Sequence, residues 1–76
     1  MSGVSIVIPM LNEAEALPRL ARTLSVLDPK PVEIIAVDGG SDDASVALAQ
    51  AAGWRVVNAP KGRAIQINYG VEAAAS

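Results

Sequence analysis

Several side chains that dominate enzyme chemistry are missing from this 76-residue chain, which contains neither cysteine nor histidine. Without cysteine there can be no disulfide, thiol nucleophile or cysteine-ligated zinc, which fits a protein of the reducing cytoplasm. Without histidine, Ser-His-Asp hydrolysis, Cys-His catalysis and histidine metal sites are excluded as well. Aromatic residues are scarce: there is one tryptophan, one tyrosine and no phenylalanine. The core should therefore consist mainly of alanine and aliphatic side chains.

Charge and length narrow the possible partners. The six basic and eight acidic residues give a net charge of −2, whereas a nucleic-acid-binding surface needs a basic stripe. No apolar run approaches the roughly 20 residues of a membrane span. With 51% hydrophobic and 18% charged residues, disorder is not expected. We expect residues 1–76 to form a single cytoplasmic domain that binds no nucleic acid.

Three β-branched runs alternate with three segments of helical periodicity. The predicted strands cover residues 4–9, 32–37 and 54–58, and Pro9 closes the first because it cannot donate to a ladder. The predicted helices cover about residues 18–27, extend from the 41–43 turn to Gly53, and follow Gly62. This alternation is typical of an α/β fold, and it predicts three parallel strands joined by right-handed crossovers.

The order β-α-β-α-β-α predicts half of a doubly wound, Rossmann-like sheet. Such sheets bind ligands beyond the carboxyl ends of their strands. Residues 9–13, 38–43 and 59–63 each follow a predicted strand, and they contain the unusual polar clusters of the sequence. We therefore expect the functional site at this edge of the sheet, the rim, which consists of these three segments.

The turn after the second predicted strand contains Asp38, Gly39 and Gly40. Asp38 can accept a hydrogen bond from a base N–H or a ribose hydroxyl, while two glycines free to take positive φ let a ligand approach the backbone. The alternative is a turn that only caps the next helix, with Ser41 or Asp43 as the N-cap. The dinucleotide and P-loop fingerprints are both absent. A helix N-terminus that carries Asp42 and Asp43 would also repel a pyrophosphate, so any phosphate must lie elsewhere on the rim.

Lys61 and Arg63 offer such a place at the start of the last predicted helix. Arg63 can hold a phosphate in a bidentate way, helped by the helix dipole. The alternative is a solvated basic turn without a ligand. On the first rim segment, Asn12 can cap a turn or Glu13 can bind a ribose, and spacing does not decide between these roles.

The last predicted helix carries polar residues within an apolar pattern. Its core-facing stripe is predicted to consist of Ala64, Ile67, Asn68, Val71 and Ala74. Asn68 would then need partners and could brace a neighbouring loop. Gln66 is the other polar residue of this helix. Trp54 is expected to be a packing residue, because it opens a strand away from the rim.

Three segments together resemble a known family. Residues 5–13 (SIVIPMLNE) resemble the opening strand and Pro-x-x-Asn-Glu loop of family 2 glycosyltransferases, which have the GT-A fold. Residues 37–45 (VDGGSDDAS) resemble that family's Val-Asp-Asp-Gly-Ser-x-Asp-Gly-Thr turn. Residues 61–70 (KGRAIQINYG) resemble the Gly-Arg-Ala-x-Gln-x-Asn-x-Gly helix of one bacterial subgroup. The three motifs cover essentially the whole chain in the family's order.

The resemblance implies the donor-binding part of an enzyme that transfers a sugar from a UDP- or GDP-linked donor to an acceptor hydroxyl or lipid phosphate. It implies that Pro9 and Glu13 line the nucleoside pocket and that Asp38 binds the base or ribose. Arg63 and Lys61 would lie near the base or diphosphate. The predicted nucleotide-binding residues are Pro9, Asn12, Glu13, Asp38, Gly39, Gly40, Lys61 and Arg63, with no catalytic residue among them.

Two departures from the family pattern concern the second rim segment. Gly39 replaces the second acid of the usual Asp-Asp pair, so Asp38 alone would read the nucleoside. Ala44 and Ser45 replace the family's Gly-Thr, which is a milder change.

The resemblance also implies a divalent metal, Mg²⁺ or Mn²⁺, for the full-length enzyme. In the family, the metal-binding Asp-x-Asp lies on the strand after the helix that matches residues 61–70, and the catalytic base lies later still. Asp42 and Asp43 are at a helix start and do not reproduce that motif. We therefore expect an N-terminal nucleoside-binding portion that is inactive alone, from an enzyme that the resemblance allows to be peripheral to a membrane.

The resemblance also implies that the first strand is unpaired on one side. In the family, the strand that carries the Asp-x-Asp motif pairs with that side. An exposed strand edge is a template for another chain. We therefore expect a homo-oligomer through the first strand or the last helix, or a chain ordered only within a longer polypeptide. Two other functions stay open: a non-catalytic nucleotide-binding or interaction module, and a nucleotidyltransferase, against which the missing Arg/Lys-rich glycine loop counts.

Overall fold

Strands and helices alternate along the chain, of which the computed structural model describes residues 4–28 and 30–75. The elements are β1 (Ser5–Met10), α1 (Leu17–Ser25), β2 (Glu33–Asp38), α2 (Ser45–Ala51), β3 (Arg55–Asn58) and α3 (Arg63–Ala75). This order confirms the predicted α/β alternation. None of the helices in the described part of the chain is long and apolar enough to cross a membrane.

The three strands form one parallel sheet in the order β1-β2-β3. Met10 is in register with Asp38, and Asp38 is in register with Asn58. All three strands therefore end side by side, and the loops that follow them leave the sheet at one edge. The predicted meeting of the three rim segments depends on this alignment.

The first two strands lie one residue later than the sequence predicted, and the third begins one residue later but ends at Asn58 as predicted. Pro9 was expected to close the first strand, but β1 continues through Met10, which is buried. The Val4 and Met10 carbonyls accept hydrogen bonds from residues at the ends of β2, at 2.9 Å each. The backbone N–H and C=O groups of successive residues in a strand point alternately to its two sides. Those of Ser5, Val7 and Pro9 therefore point away from β2. The missing N–H of Pro9 therefore costs the β1–β2 ladder nothing.

One face of the sheet carries the main hydrophobic core, under α1 and α2. The buried members of this core are Met10, Leu17, Ala36, Ala49 and Trp54. Trp54 is only 7% exposed, which confirms its predicted packing role. Small residues from β2 and α2 at the centre of this core allow the helices to lie close to the sheet.

The other face of the sheet is covered by α3, but not through the predicted stripe. Ile67 and Val71 are 39% and 55% exposed, and Asn68 is also exposed, so the predicted core-facing assignment is wrong. The buried positions are Gln66 and Gly70, one helical turn apart. Gly70 lets the helix backbone approach the strands. Because α3 faces the sheet with this glycine, the larger side chains of Ile67 and Val71 lie on the exposed side.

The two ends of α2 are stabilised by different hydrogen bonds. At its C-terminus, Gly53 has φ +87° and donates to the Gln50 carbonyl, while the Trp54 N–H donates to the Ala49 carbonyl. This is the Schellman motif, so the predicted role of Gly53 is confirmed. At its N-terminus, Ala44 occupies the cap position, which neither Ser41 nor Asp43 takes as predicted. Asp43 nevertheless performs part of the capping role, because its Oδ1 accepts the N–H of Ser45, the first residue of α2, at 2.9 Å.

Candidate functional site

Backbone hydrogen bonds close the rim between neighbouring strand ends. The Gly39 N–H donates to the Met10 carbonyl at 2.9 Å, and the Ala59 N–H donates to the Asp38 carbonyl at 2.9 Å. The first link joins β1 to the 38–43 turn, and the second joins β2 to the loop before α3. The three predicted rim segments are thus brought together.

Asp38 lies at the base of the 38–43 turn and is only 4% exposed. Its Oδ2 accepts the Gly40 and Ser41 N–H groups at 3.1 and 2.9 Å, and its Oδ1 accepts the Ser41 hydroxyl at 2.5 Å. The carboxylate therefore shapes the turn from within. Its predicted contact with a nucleoside stays a prediction, and any such contact would be made by an oxygen already fixed by the turn.

Asn12 joins the loop after β1 to the same turn. It has φ +52°, a left-handed conformation that asparagine tolerates better than most residues. Its N–H donates to the Ser41 hydroxyl at 2.9 Å, and its Oδ1 accepts the Asp42 N–H at 2.7 Å. Of the two roles that spacing left open for the first loop, the turn-bracing one is thus observed for Asn12.

The backbone after Asn12 is held by the start of α2. The Glu13 N–H donates to the Ser45 hydroxyl at 2.7 Å, and the Ala14 N–H donates to Asp43 Oδ2 at 3.1 Å. Asp43 Oδ1 accepts the Ser45 hydroxyl at 2.5 Å and the Ser45 N–H at 2.9 Å. These bonds, with the Ser45 hydroxyl first, lower the pKa of Asp43 below its ordinary 3.8. Glu13 keeps its carboxylate exposed at the rim.

A cleft of about 200 Å³ opens on the α3 side of the rim. Its walls are formed by the end of β1 and the loop that follows, and by the turn and first residues of α3. The lining residues are Pro9, Met10, Leu11, Glu13, Lys61, Gly62, Arg63 and Gln66. Four of the eight predicted nucleotide-binding residues therefore meet here: Pro9, Glu13, Lys61 and Arg63. The other four do not line the cleft: Asp38 ends β2, and Asn12, Gly39 and Gly40 lie in the loops that follow β1 and β2.

The cleft combines charge with an apolar wall. Lys61 and Arg63 outnumber the single acid Glu13, so the local charge is positive although the chain as a whole is acidic. α3 begins at Arg63 and has 13 residues, so the positive end of its dipole is on the cleft side. Pro9 and Leu11, which are only partly buried, provide apolar surface. The arrangement suits an anion attached to a flat, partly apolar group.

Gln66 links β1, β2 and the turn before α3, although it is not among the residues that the sequence predicts for the site. Its side chain is 4% exposed, and its Nε2 donates to the Met10 and Val37 carbonyls at 3.1 and 2.8 Å. Its Oε1 accepts the Gly62 N–H at 3.2 Å. The bracing role predicted for Asn68 is therefore performed by Gln66. Two features of the sequence could have indicated this role: Gln66 is a polar residue in an otherwise apolar helix, and the 38–43 turn contains the two small residues Gly39 and Gly40.

A second and larger groove, of about 530 Å³, lies on the α1 face at the opposite end of the sheet. It is lined by α1, by the beginning of β2 and by residues around Trp54. None of the predicted site residues borders it. Its lining also includes two cations and one acid, Arg22, Lys30 and Glu33. We assign the candidate site to the smaller cleft because that cleft lies at the carboxyl ends of the strands, where parallel sheets bind their ligands.

The residues of the rim do not fit a divalent metal. Among residues 4–28 and 30–75 there is no group of three or more acidic, histidine or cysteine side chains that could hold an ion. Asp38 already accepts hydrogen bonds at both oxygens within its turn. Asp43 accepts from the start of α2 at Oδ1 and from Ala14, in the loop after β1, at Oδ2. A hard cation needs several oxygen ligands in one place. No step of the chemistry is therefore assigned to a metal held by the described residues.

Known proteins with similar sequences and folds are glycosyltransferases. The profile of the family "Glycosyl transferase family 2" matches residues 5–76. The undecaprenyl-phosphate 4-deoxy-4-formamido-L-arabinose transferase of Yersinia enterocolitica is 44% identical over 78 residues, which cover 93% of this chain and 23% of that protein.

Solved structures agree with the sequence matches. Glucosyl-3-phosphoglycerate synthase from Mycobacterium tuberculosis, in complex with Mn²⁺, UDP and glucosyl-3-phosphoglycerate, superposes with a TM-score of 0.78 at 28% identity, covering 97% of this chain and 30% of the synthase. Another crystal structure of that synthase gives a TM-score of 0.76 at 28% identity, with 97% and 31% covered. The chain thus spans less than a third of the length of these relatives.

Proposed function

The chain belongs to glycosyl transferase family 2, and we propose that its rim cleft binds the nucleoside diphosphate part of a sugar donor. The observation that carries this proposal is the meeting of Glu13 with Lys61 and Arg63 around one small cleft. A diphosphate needs cations, and a ribose offers hydroxyls to a carboxylate. The chain supplies both on opposite walls.

Each wall has a distinct part in donor binding. Arg63 presents a planar fork that can hold a phosphate in a bidentate way, and Lys61 adds a second positive charge. The N-terminus of α3 favours the same anion. Glu13 accepts from a ribose hydroxyl, while Pro9 and Leu11 contact the face of the base. Asp38, Gly39, Gly40 and Asn12 keep these walls at a fixed separation.

A uridine nucleotide is the first donor to test. The similar glucosyl-3-phosphoglycerate synthase was crystallised with UDP and with UDP-glucose, which supports UDP over GDP. The cleft of about 200 Å³ is smaller than the roughly 300–1,000 Å³ of sites that enclose a whole small-molecule ligand, so it would hold one part of the donor. The sugar and the acceptor would then be handled by the remainder of a longer enzyme.

The proposed activity of that longer enzyme is transfer of a sugar from a nucleotide sugar to an acceptor, with the absence of cysteine supporting a cytoplasmic location. The two named relatives have different acceptors, undecaprenyl phosphate for the transferase and a phosphoglycerate for the synthase. The acceptor is therefore the least constrained part of the proposal. A non-catalytic module is not favoured, because the family consists of transferases.

Calorimetric titration of the chain with UDP, GDP and uridine tests the proposal. We expect UDP to bind and Arg63→Ala to weaken binding about tenfold or more, since hydrogen bonds to charged groups contribute roughly 1.5–3 kcal/mol. Arg22→Ala is the matched control, because it removes an equal charge beside the larger groove at the other end of the sheet. Absence of binding by any nucleoside diphosphate, or an equal loss in both variants, would contradict the proposal.

A further inference from the structure

The Gln66 amide connects three segments of the rim that come from different parts of the chain. It donates to the carbonyls of Met10 in β1 and Val37 in β2, and it accepts from Gly62 in the turn before α3. Both amide hydrogens and one acceptor position are therefore used inside the protein. A single buried side chain fixes two strand ends and the turn that carries the cleft's cations.

Gly39 provides the space that this side chain occupies. A Cβ built at position 39 would lie 2.8 Å from Gln66 Oε1, 2.9 Å from Cδ and 3.1 Å from Nε2. The positive-φ glycine of the turn is Gly40, with φ +105°, and Gly39 is not in that conformation. From the sequence, backbone freedom and ligand approach were the expected roles of both glycines. For Gly39, the requirement is instead room for Gln66.

Gln66 cannot easily move to make room for a larger residue. Its Nε2 is held by two carbonyls on adjacent strands, and its Oε1 is held by the Gly62 N–H. Displacing the amide would leave buried polar groups without partners, which is costly. Position 39 and position 66 are thus physically coupled, although 27 residues separate them in sequence.

We propose that Gln66 is a positioning residue for donor binding, and that Gly39 is required because it admits the Gln66 side chain. Gln66 sets the position of Gly62 and thereby holds Lys61 and Arg63 over the cleft. The inference rests on the proposed function, because the nucleotide sugar is the ligand to which these cations are presented. It assigns to Gly39 no contact with that ligand.

A double-mutant cycle separates this role from a direct one. UDP-glucose affinity is measured for the wild type, Gly39→Ala, Gln66→Ala and the double variant. We expect each single variant to bind about tenfold more weakly, and Gly39→Ala to add less than about twofold in the Gln66→Ala background, because residues that act through one contact are not additive. If the Gly39→Ala penalty is the same in both backgrounds, Gly39 acts independently and the inference is overturned.

Gln66→Glu supplies a readout that a merely structural role would not move. The ionised carboxylate would oppose the Met10 and Val37 carbonyls, whereas the protonated acid can donate to one of them and still accept from Gly62. Burial raises the pKa of such a group. UDP-glucose affinity of Gln66→Glu should therefore recover as the pH falls from 8 to 5, and a profile parallel to the wild type would overturn the inference.

The pH profile must be corrected for groups that face the same region. These are Glu13, Lys61 and Arg63 around the cleft and Asp38 at the end of β2. The wild type carries all of them, so its profile over the same range is the reference. UDP-glucose is used because its diphosphate is a diester and does not titrate between pH 5 and 8.

Failure of the proposed function gives a different result from failure of this inference. If the wild type does not bind UDP-glucose or any nucleoside diphosphate, the proposed function fails and the role in donor binding falls with it. If the wild type binds, the cycle decides. The Gly62 amide resonance is a ligand-independent check: it should shift alike in Gly39→Ala and Gln66→Ala, and a resonance that stays in place in both would overturn the positioning role.

Discussion

The Ser41 hydroxyl lies 2.5 Å from Asp38 Oδ1 and donates to it. The same hydroxyl accepts the Asn12 N–H at 2.9 Å, so it links the carboxylate at the end of β2 to the loop after β1. Asp38 also accepts two backbone N–H groups of its own turn. The geometry of the rim therefore depends on one small side chain as well as on the acid beside it.

Removing this hydroxyl should loosen both loops. We expect Ser41→Ala to lower the free energy of unfolding by about 1.5–3 kcal/mol, the usual range for a hydrogen bond to a charged group. Urea denaturation measures the change. Ser25→Ala is the control, because that hydroxyl donates only to the Arg22 carbonyl on exposed α1 and its loss should cost less than about 0.5 kcal/mol. Equal effects in the two variants would show that the Asp38 link does not stabilise the fold.

The start of α2 should respond to acid. The Ser45 hydroxyl and backbone bonds lower the pKa of Asp43 from 3.8, so its contribution to stability is complete above pH 3.8 and is lost as the pH falls through the lower folded-state pKa. We expect the free energy of unfolding to fall below about pH 4, and Asp43→Asn to flatten that dependence. The reference variant is Asp28→Asn, in the loop after α1. An unchanged acid limb in Asp43→Asn would remove this carboxylate from the explanation.

Arg63 should act on the diphosphate more than on the nucleoside. Lysine at position 63 keeps the charge but loses the bidentate fork, so we expect Arg63→Lys to weaken UDP binding about three- to tenfold. Uridine binding should change by less than about twofold, because uridine carries no phosphate. Parallel titrations of both ligands give the comparison. Equal factors for the two ligands would mean that Arg63 does not lie beside the diphosphate.

The close approach of α3 to the sheet depends on Gly70. A Cβ at this position would clash with a γ-carbon of Val7 and lie 2.9 Å from Val37 Cγ2. We expect Gly70→Ala to lower the free energy of unfolding by about 1–3 kcal/mol, the cost of overpacking a core. The control is Asn68→Ala on the exposed side of the same helix, which should be neutral within about 0.5 kcal/mol. A neutral or stabilising Gly70→Ala would mean that the helix can move away at little cost.

Within residues 4–28 and 30–75, β1 is an edge strand of the sheet, and its outer edge predicts assembly through this strand. Sedimentation at micromolar concentration should show a dimer or a larger species, because an unpaired strand edge can pair with another chain. Ser5→Pro should shift the protein toward the monomer, since the Ser5 N–H faces away from β2 and contributes nothing to the existing ladder. Ile6→Pro, at a residue that faces β2, should instead unfold the sheet. A stable monomer with protected Ser5 and Val7 amides would contradict this prediction.

The sequence predicted the order of elements and the rim well, because each strand is a β-branched run and glycine or proline marks the turns. It failed on α3. Periodicity selects Ile67 and Val71 for the core, but a helix that lies very close to a sheet selects glycine, which carries no hydrophobic signal. The role of Asp38 was also ambiguous, because a carboxylate that shapes a turn and one that binds a ligand look the same in sequence.

The side of β1 that faces away from β2 offers unequal bonding groups along its length. Ser5 and Val7 each present an N–H and a carbonyl, whereas Pro9 presents a carbonyl alone. A strand could be added here from a second copy or from another part of a longer polypeptide. It would accept hydrogen bonds from the N–H groups of Ser5 and Val7, which lie farther from the cleft than Pro9 does. Pairing must weaken toward Pro9, which lines the cleft. Because Pro9 lacks a donor, a strand added beside β1 would pair least well next to the cleft, and the cleft would stay open.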